Sequence, residues 1–256
     1  MQIKTFKKSD RLHSKISWLD AHFYFSFGNQ YDPNRINFGA LLVVNDDIIS
    51  AHSGFGAHSH RDMEIITIPL SGTLSHKDSL GSEGDISEGE VQAMTAGTGL
   101  THSEYNHKNI PVNSFQIWIR PVIKNLSPVY SQKKIKELTQ NSPQLLVSPD
   151  GRDDSLIIHQ DAFISLLTLD SNMQSGISLQ SDFKFDTNIK SGIFLTCVKG
   201  SFSLSVHLNS NKVSDNIFLN EKDWVEISDI DVIENTLQII NFDEESKILC
   251  IQVPVS

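Results

Sequence analysis

The 256-residue sequence predicts an all-β protein, and three observations carry that expectation. Apolar and polar residues alternate in short runs. Valine, isoleucine, phenylalanine and threonine fill those runs, and glycine, asparagine, aspartate and serine punctuate them at short intervals. Alternation at period two is the pattern of strands with one face buried, and those residue types fit a pleated surface. The strand-like runs are "HFYFSF" (22–27), "GALLVV" (39–44), "EIITIPL" (64–70), "SFQIWIRPV" (114–122), "SLIIHQDAFISLLTL" (155–169), "GIFLTCV" (192–198), "SFSLSVHL" (201–208) and "KILCIQV" (247–253). In "VVNDDII" (43–49), Asn45, Asp46 and Asp47 separate two apolar runs and read as a hairpin turn. One or two helical turns are expected around Lys133–Leu138. Phe23, Phe25 and Phe27 read as core.

The chain is long enough for two domains. A seam is expected in "NSPQLLVSPDGRDDS" (141–155), rich in proline, serine, aspartate and glycine. It divides the sequence into residues 1–145 and 146–256. The halves share a short echo: "IPLSGTLSH" (68–76) and "TCVKGSFSL" (196–204) both read strand, glycine turn, returning strand. Two β-barrel or sandwich domains of one type fit this outline.

Apolar residues make up 39% and charged residues 20%, the balance of a soluble globular chain. No window approaches the run of about 18 apolar residues of a membrane helix. "MQIKTFKKSDRLHSK" has no apolar segment behind its lysines, so no secretory signal is expected. Cys197 and Cys250 lie in apolar runs and read as buried thiols, which places the protein in the cytoplasm. The formal net charge is −10, and the densest basic cluster, "SQKKIKEL" (131–138), is short. Direct nucleic-acid binding, which needs clustered positive charge, is not expected.

The chemistry concentrates in "GFGAHSHRDMEIITIPLSGTLSH" (54–76) and "GEVQAMTAGTGLTHSEYN" (89–106). Side chains two apart on a strand share a face, so His58, His60 and Glu64 share parity. His102 and Glu104 repeat that spacing behind Gly97 and Gly99. If the two strands are neighbours, His58, His60, His102 and Glu104 converge. Three neutral imidazoles and a carboxylate suit a divalent first-row metal with positions open to substrate. A lone HxH on a strand also occurs as ordinary surface polarity. Two such pairs beside glycine turns favour the site.

These residues resemble the metal-binding half of the pirin family, within the cupin superfamily. Gly54, His58, His60, Glu64 and Gly72 follow the first cupin pattern. Gly89, Gly97, His102 and Glu104 follow the pirin form of the second. "WLDAHFYFSFGNQYDP" (18–33), "NFGALLVVNDD" (37–47), "FQIWIRP" (115–121) and "LVSPDGRDDSLIIHQDA" (146–162) extend the similarity, which is closest to bacterial members described as quercetin 2,3-dioxygenases. The resemblance implies a monomeric bicupin of two packed jelly-roll-like barrels, with one metal ion, and only in the first. The implied ligands are His58, His60, His102 and Glu104. The ion is iron(II) as first expectation, and the set also accepts Mn, Ni, Co, Cu or Zn. Glu64 is expected beside the ligands, bonded to one of their imidazoles. Aligning Gly72 with Gly200 puts Asp186 and Asn188 where His58 and His60 stand, and no histidine follows His207, so the second barrel should lack the site.

The implied activity is cleavage of a flavonol such as quercetin by dioxygen with loss of carbon monoxide. Glu104 would serve as both ligand and proton acceptor, and an apolar barrel mouth would hold the small planar substrate. The alternative is a non-catalytic, iron-dependent redox regulator with the same ligands. The remaining histidines carry smaller expectations. His76 reads as solvated or as a hydrogen-bonded core residue, His159 as a packing residue between barrels, and His22 as buried. Tyr105 is expected to face away from Glu104.

Overall fold

The computed structural model describes residues 1–135, 140–171, 174–178, 191–208, 211–212, 214–230, 235–241 and 245–255. Almost all regular structure is β, and the chain forms two compact units. The first comprises Arg11–Lys136 and Leu156–Gln160; the second comprises Met1–Asp10, Glu137–Ser155 and Asp161–Ser256. A cut between residues 145 and 146 therefore does not follow the units. Strand Gln144–Ser148 pairs antiparallel with Phe163–Asp170 inside the second unit. The polar text that suggested a seam is the tight turn after that strand, where Gly151, Asp153 and Asp154 all have positive φ.

Twelve strands precede Gln144–Ser148. They are β1 Gln2–Phe6, β2 Leu12–Lys15, β3 Leu19–Phe23, β4 Leu41–Ile49, β5 Ser53–His60, β6 Glu64–Ser71, β7 Thr73–Asp78, β8 Glu83–Ser87, β9 Glu90–Thr95, β10 Leu100–Asn106, β11 Val112–Ile119 and β12 Val129–Lys134. β1 pairs with Trp224–Ile230 of the second unit. The others build two antiparallel sheets of the first unit, one ordered β12-β9-β6-β11-β4-β3-β2 and one ordered β5-β10-β7-β8.

The register explains why this unit can carry a polar site. Residues directly opposite in an antiparallel pair share a face. Gln132, Gln92, Thr67, Gln116 and Asn45 are successive partners across five strands, so they form one polar row. Two residues along, Tyr130, Met94, Ile65, Trp118 and Val43 form a mostly apolar row on the same face. Ile65, Met94 and Leu100 cluster with Met63 and Trp118 at one end, while Ile49, Leu74 and Val112 cluster with Trp18, Leu19 and Phe55 elsewhere. The second unit differs. Its interior is one apolar cluster that includes Phe163, Leu167, Leu195, Phe202, Leu204, Val225, Leu237 and Ile248. Cys197 and Cys250 lie in it as buried, unbridged thiols.

The expected hairpin turn at Asn45–Asp47 is not one. These residues continue β4 and are buried. Asp46 meets the Arg11 guanidinium at 2.8 Å and accepts from Asn113 Nδ2 at 2.8 Å. Asn45 belongs to the polar row, and Asp47 lies two residues along the same face. Burial, with the charges of Asp46 and Glu104, pushes the Asp47 carboxyl well above the usual range. Polar partners inside the sheet supply what a turn signal normally finds in water. The glycine turns do match the expected echo, with Gly72 at φ 77 between β6 and β7 and Gly200 at φ 79 between Ser191–Lys199 and Ser201–Leu208.

Lys133 and Lys134 end β12, and residues 136–138 of the expected helical turns lie outside the described residues. Asp186 and Asn188 also lie outside them. Phe23 and Phe25 are buried, as expected of core. His22 is not buried; its ring stacks on His13 at 4.4 Å across the β2–β3 pair. Among the described residues, no helix is long and apolar enough to cross a membrane.

Candidate metal centre

The smaller sheet of the first unit brings the candidate ligands together through its register. His102 on β10 lies opposite His58 on β5 and opposite Asp78 on β7, and Glu104 lies opposite His76. A bulge between His102 and Glu104 shifts the β5 pairing by one residue, so Glu104 faces Phe55. The strands meet closely at Gly54, where a Cβ would strike the Glu104 carbonyl oxygen and lie 2.6 Å from Tyr105 Cα. Only glycine admits β10 there, which ties the first residue of the motif to the placement of its last.

Two overlapping groups result. His58, His60 and His102 offer ring nitrogens within 4.8 Å of one another, and ring nitrogens of His76 and His102 lie equally close to a carboxylate oxygen of Glu104. His102 belongs to both. Ring centroids lie 4.4 Å apart for His58–His102 and 4.9 Å apart for both His58–His60 and His60–His102. His58 Nδ1 lies 2.8 Å from the Gly56 carbonyl. A carbonyl can only accept, so Nδ1 carries a proton, which in the neutral ring leaves the lone pair on Nε2. Among the described residues, buried His102 Nε2 has no hydrogen-bond partner. Burial and the His58 charge pull the His60 imidazole down to about 4. Burial, then His58, His60 and His76, pulls His102 down to about 3. Both rings are neutral at pH 7, the form that binds metal.

Glu104 is fully buried and held by the amide of Gln116, whose Nε2 donates to Oε1 at 3.1 Å and Oε2 at 3.0 Å. Thr67 Oγ1, which donates to Gln116 Oε1 at 2.9 Å, also lies 3.5 Å from Glu104 Oε1. Burial raises the carboxyl, and the Gln116 amide opposes that rise. The middle of the polar row thus anchors the carboxylate.

Aromatic rings flank the imidazoles. Trp118 meets His60 edge-on at 4.9 Å, and Phe55 lies 6.3 Å from His58. A cleft of about 350 Å³ opens beside His60, lined by Ser59, Arg61, Ser79, Gly99, Leu100 and Thr101. Its exposed lining is about half polar and half apolar.

One sequence expectation needs correction. Glu64 does not share the face of His58 and His60, because β5 ends at His60 and the chain turns through Asp62 at φ 48 before β6 begins. Strand parity does not survive that break. Glu64 instead accepts from Thr95 Oγ1 at 2.7 Å and lies 3.7 Å from His159 Nδ1, bonded to no candidate ligand. Burial raises its carboxyl. Of the two roles expected for His76, the structure shows the hydrogen-bonded core residue: it is buried, 3.4 Å from His102 through the two Nδ1 atoms and 3.0 Å from Asp78 Oδ2 through Nε2. The pattern "HKD" (76–78), two polar residues of one parity, carried that signal. Tyr130 was missed; its ring stacks on His76 at 4.7 Å. Burial, with Asp78, Glu90 and Glu104, pushes its hydroxyl up to about 12.

The remaining histidines lie elsewhere. His159 touches Glu64 and Thr95 within the first unit. His207 bonds Ser205 Oγ at 2.9 Å in the second. Tyr105 donates to the His52 carbonyl and packs on His107 at 4.6 Å. His13, Asp20 and His22 also cluster, but Lys15 Nζ already sits 2.6 Å from Asp20 Oδ2. Among the described residues, every group able to hold a metal lies in the first unit.

Comparison with known proteins identifies the family. Residues 5–119 match the family described as Pirin, and residues 145–253 match the Quercetinase C-terminal cupin domain. A quercetin 2,3-dioxygenase of Escherichia coli O157:H7 is 39% identical over 217 residues, 80% of this chain and 93% of that protein. A pirin-like protein of Caulobacter vibrioides is 38% identical over 167 residues, 64% of this chain and 72% of its own. The crystal structure of YhhW from Escherichia coli superposes with a TM-score of 0.85 at 34% identity, covering 100% of this chain and 99% of that one. YhhW, described as a bacterial pirin, in complex with nickel(II) gives 0.84 at 34% identity, with 100% of each chain covered. The chain belongs to the pirin family and is built from two cupin-type domains.

Proposed function

We propose that His58, His60, His102 and Glu104 hold one divalent metal ion, and that the chain is a dioxygenase cleaving a flavonol such as quercetin with release of carbon monoxide. The observation that carries the reading is the convergence of three imidazoles on one point, with the buried His102 Nε2 left unpartnered. Such a nitrogen costs free energy unless a partner meets it, and a cation is the partner that neutral imidazoles suit. The relatives named quercetin 2,3-dioxygenase and the nickel complex of YhhW support it. Iron(II) is the first expectation for the native metal.

When bound, the metal supplies Lewis acidity and one-electron chemistry toward an enolic hydroxyl and dioxygen. The protein's part is geometric. Gln116 orients the Glu104 carboxylate, which takes the proton of the flavonol 3-hydroxyl within hydrogen-bond reach. Trp118 and Phe55 offer ring edges to a flat substrate beside His60 and His58. The cleft at His60 admits a small molecule, which favours catalysis over a redox regulator with the same ligands. The two unbridged cysteines fit a cytoplasmic setting.

The test is anaerobic purification, reconstitution with Fe, Mn, Ni, Co, Cu or Zn, and assay of quercetin loss with carbon monoxide detection. Turnover with at least one metal is expected. Stoichiometric metal with no turnover for any of the six would overturn the activity and leave the metal centre standing.

A further inference from the structure

Behind the candidate ligands lies a buried chain of polar groups formed by Asp78 and His76. Asp78, on β7, is fully covered, as is His76. Asp78 Oδ1 accepts the backbone N–H of Leu80 at 2.8 Å and of Ser82 at 3.0 Å, which fixes the carboxylate with Oδ2 toward His76. His76 Nε2 stands 3.0 Å from that oxygen, and His76 Nδ1 stands 3.4 Å from His102 Nδ1. Tyr130 stacks on the His76 ring with an interplanar angle of 27°, holding its plane.

The protons follow from donor and acceptor arithmetic. A carboxylate only accepts, so His76 Nε2 carries hydrogen. In the neutral tautomer with hydrogen on Nε2, Nδ1 is an acceptor, and the contact with His102 needs one hydrogen, supplied by His102 Nδ1. His102 Nε2 is left with a lone pair, the buried atom that has no other partner. We propose that Asp78 and His76 form a positioning relay that fixes the tautomer and orientation of His102 and so presents its Nε2 to the metal. The relay rests on the metal reading above. It makes His76 and Asp78 positioning residues, because neither is among the four ligands proposed above.

The inference separates variants that look alike sterically. Asp78→Asn keeps an oxygen for Leu80 and Ser82 but turns an amide N–H toward His76. His76 Nε2 must then accept, its proton moves to Nδ1, and the His102 proton is driven to Nε2. His76→Leu removes the link altogether. His76→Gln can still accept from His102 and donate to Asp78.

The experiment uses the full chain, with nickel(II) as probe in calorimetric titration and ¹⁵N-resolved histidine NMR on the metal-free protein. In wild type, His102 should carry its proton on Nδ1; in Asp78→Asn, on Nε2. Asp78→Asn and His76→Leu should weaken nickel binding about 10- to 100-fold, with His76→Gln recovering at least about tenfold over His76→Leu. A wild-type His102 protonated on Nε2 overturns the relay, and this readout needs no variant to fold. So does nickel affinity unchanged in both Asp78→Asn and His76→Leu. If His102→Ala also binds nickel normally, the metal reading fails; if His102→Ala loses nickel while the other two retain it, only the relay fails.

Discussion

Replacing Gln116 with leucine tests how the fold holds a buried carboxylate. Gln116 Nε2 is the close donor to both oxygens of Glu104, and the remaining neighbour, Thr67 Oγ1, is 3.5 Å away. Hydrogen bonds to a charged group contribute about 1.5–3 kcal/mol each, and the stranded group also bears its desolvation cost. Gln116→Leu should therefore destabilise the metal-free first unit by about 2–4 kcal/mol. At about 3 °C per kcal/mol for a unit of this size, its melting point falls by roughly 6–12 °C. Calorimetry with and without nickel(II) is the assay. The loss should shrink with nickel bound, because a cation replaces the missing compensation. It should also shrink as pH falls, because burial already raises Glu104 and protonation removes the charge left unpaired. Removing both partners in Glu104→Leu/Gln116→Leu should recover about half the loss. A melting point within about 1 °C of wild type for Gln116→Leu, or a double variant that loses the sum of the two singles, would refute the reasoning.

Two further outcomes follow from specific contacts. Gly54→Ala should destabilise by about 1–3 kcal/mol, since its Cβ meets backbone rather than a movable side chain. It should also weaken nickel binding at least about tenfold by displacing β10 from β5; a variant that melts and binds as wild type contradicts the close approach. Asp223 governs acid stability of the second unit. Burial pushes its carboxyl up, but the Lys8 backbone N–H at 2.8 Å, the Lys7 ammonium at 3.0 Å and the Asn220 N–H at 3.1 Å outweigh it and leave it below the ordinary aspartate value of 3.8. A folded value below the unfolded one stabilises above that range and is lost as pH falls through it. Asp223→Asn should cost about 1–3 kcal/mol at pH 7, with the gap to wild type closing below pH 3.8. A gap of equal size at pH 3 and pH 7 would contradict the sign.

What was legible in the sequence and what was not divides along physical lines. Local alternation and glycine turns exposed the strands, and the two i, i+2 pairs exposed His58, His60, His102 and Glu104, because both signals depend on neighbours in sequence. Asn45–Asp47 misread as a turn because their buried position rests on Arg11 and Asn113, far away in the chain. Glu64 misread as a neighbour of the ligands because parity counts residues and cannot see Asp62 reverse the backbone. His76 was legible in parity, yet its value came from the β10–β7 register, which sets it opposite Glu104. Gln116 and Thr67 carried no motif at all; they matter because three strands align them beneath one carboxylate. Residue types announce ligands, whereas strand pairing decides what supports them.

The most direct test of the metal centre is elemental analysis of the full chain after nickel(II) reconstitution and gel filtration, run beside His102→Ala. His102 is shared by both ligand groups, and it occupies one position of a sheet otherwise held by backbone pairing. The account predicts one nickel per chain in wild type and loss of most of it in the variant, with the β-sheet circular dichroism of the two unchanged. Full nickel retention by a folded His102→Ala protein would contradict it.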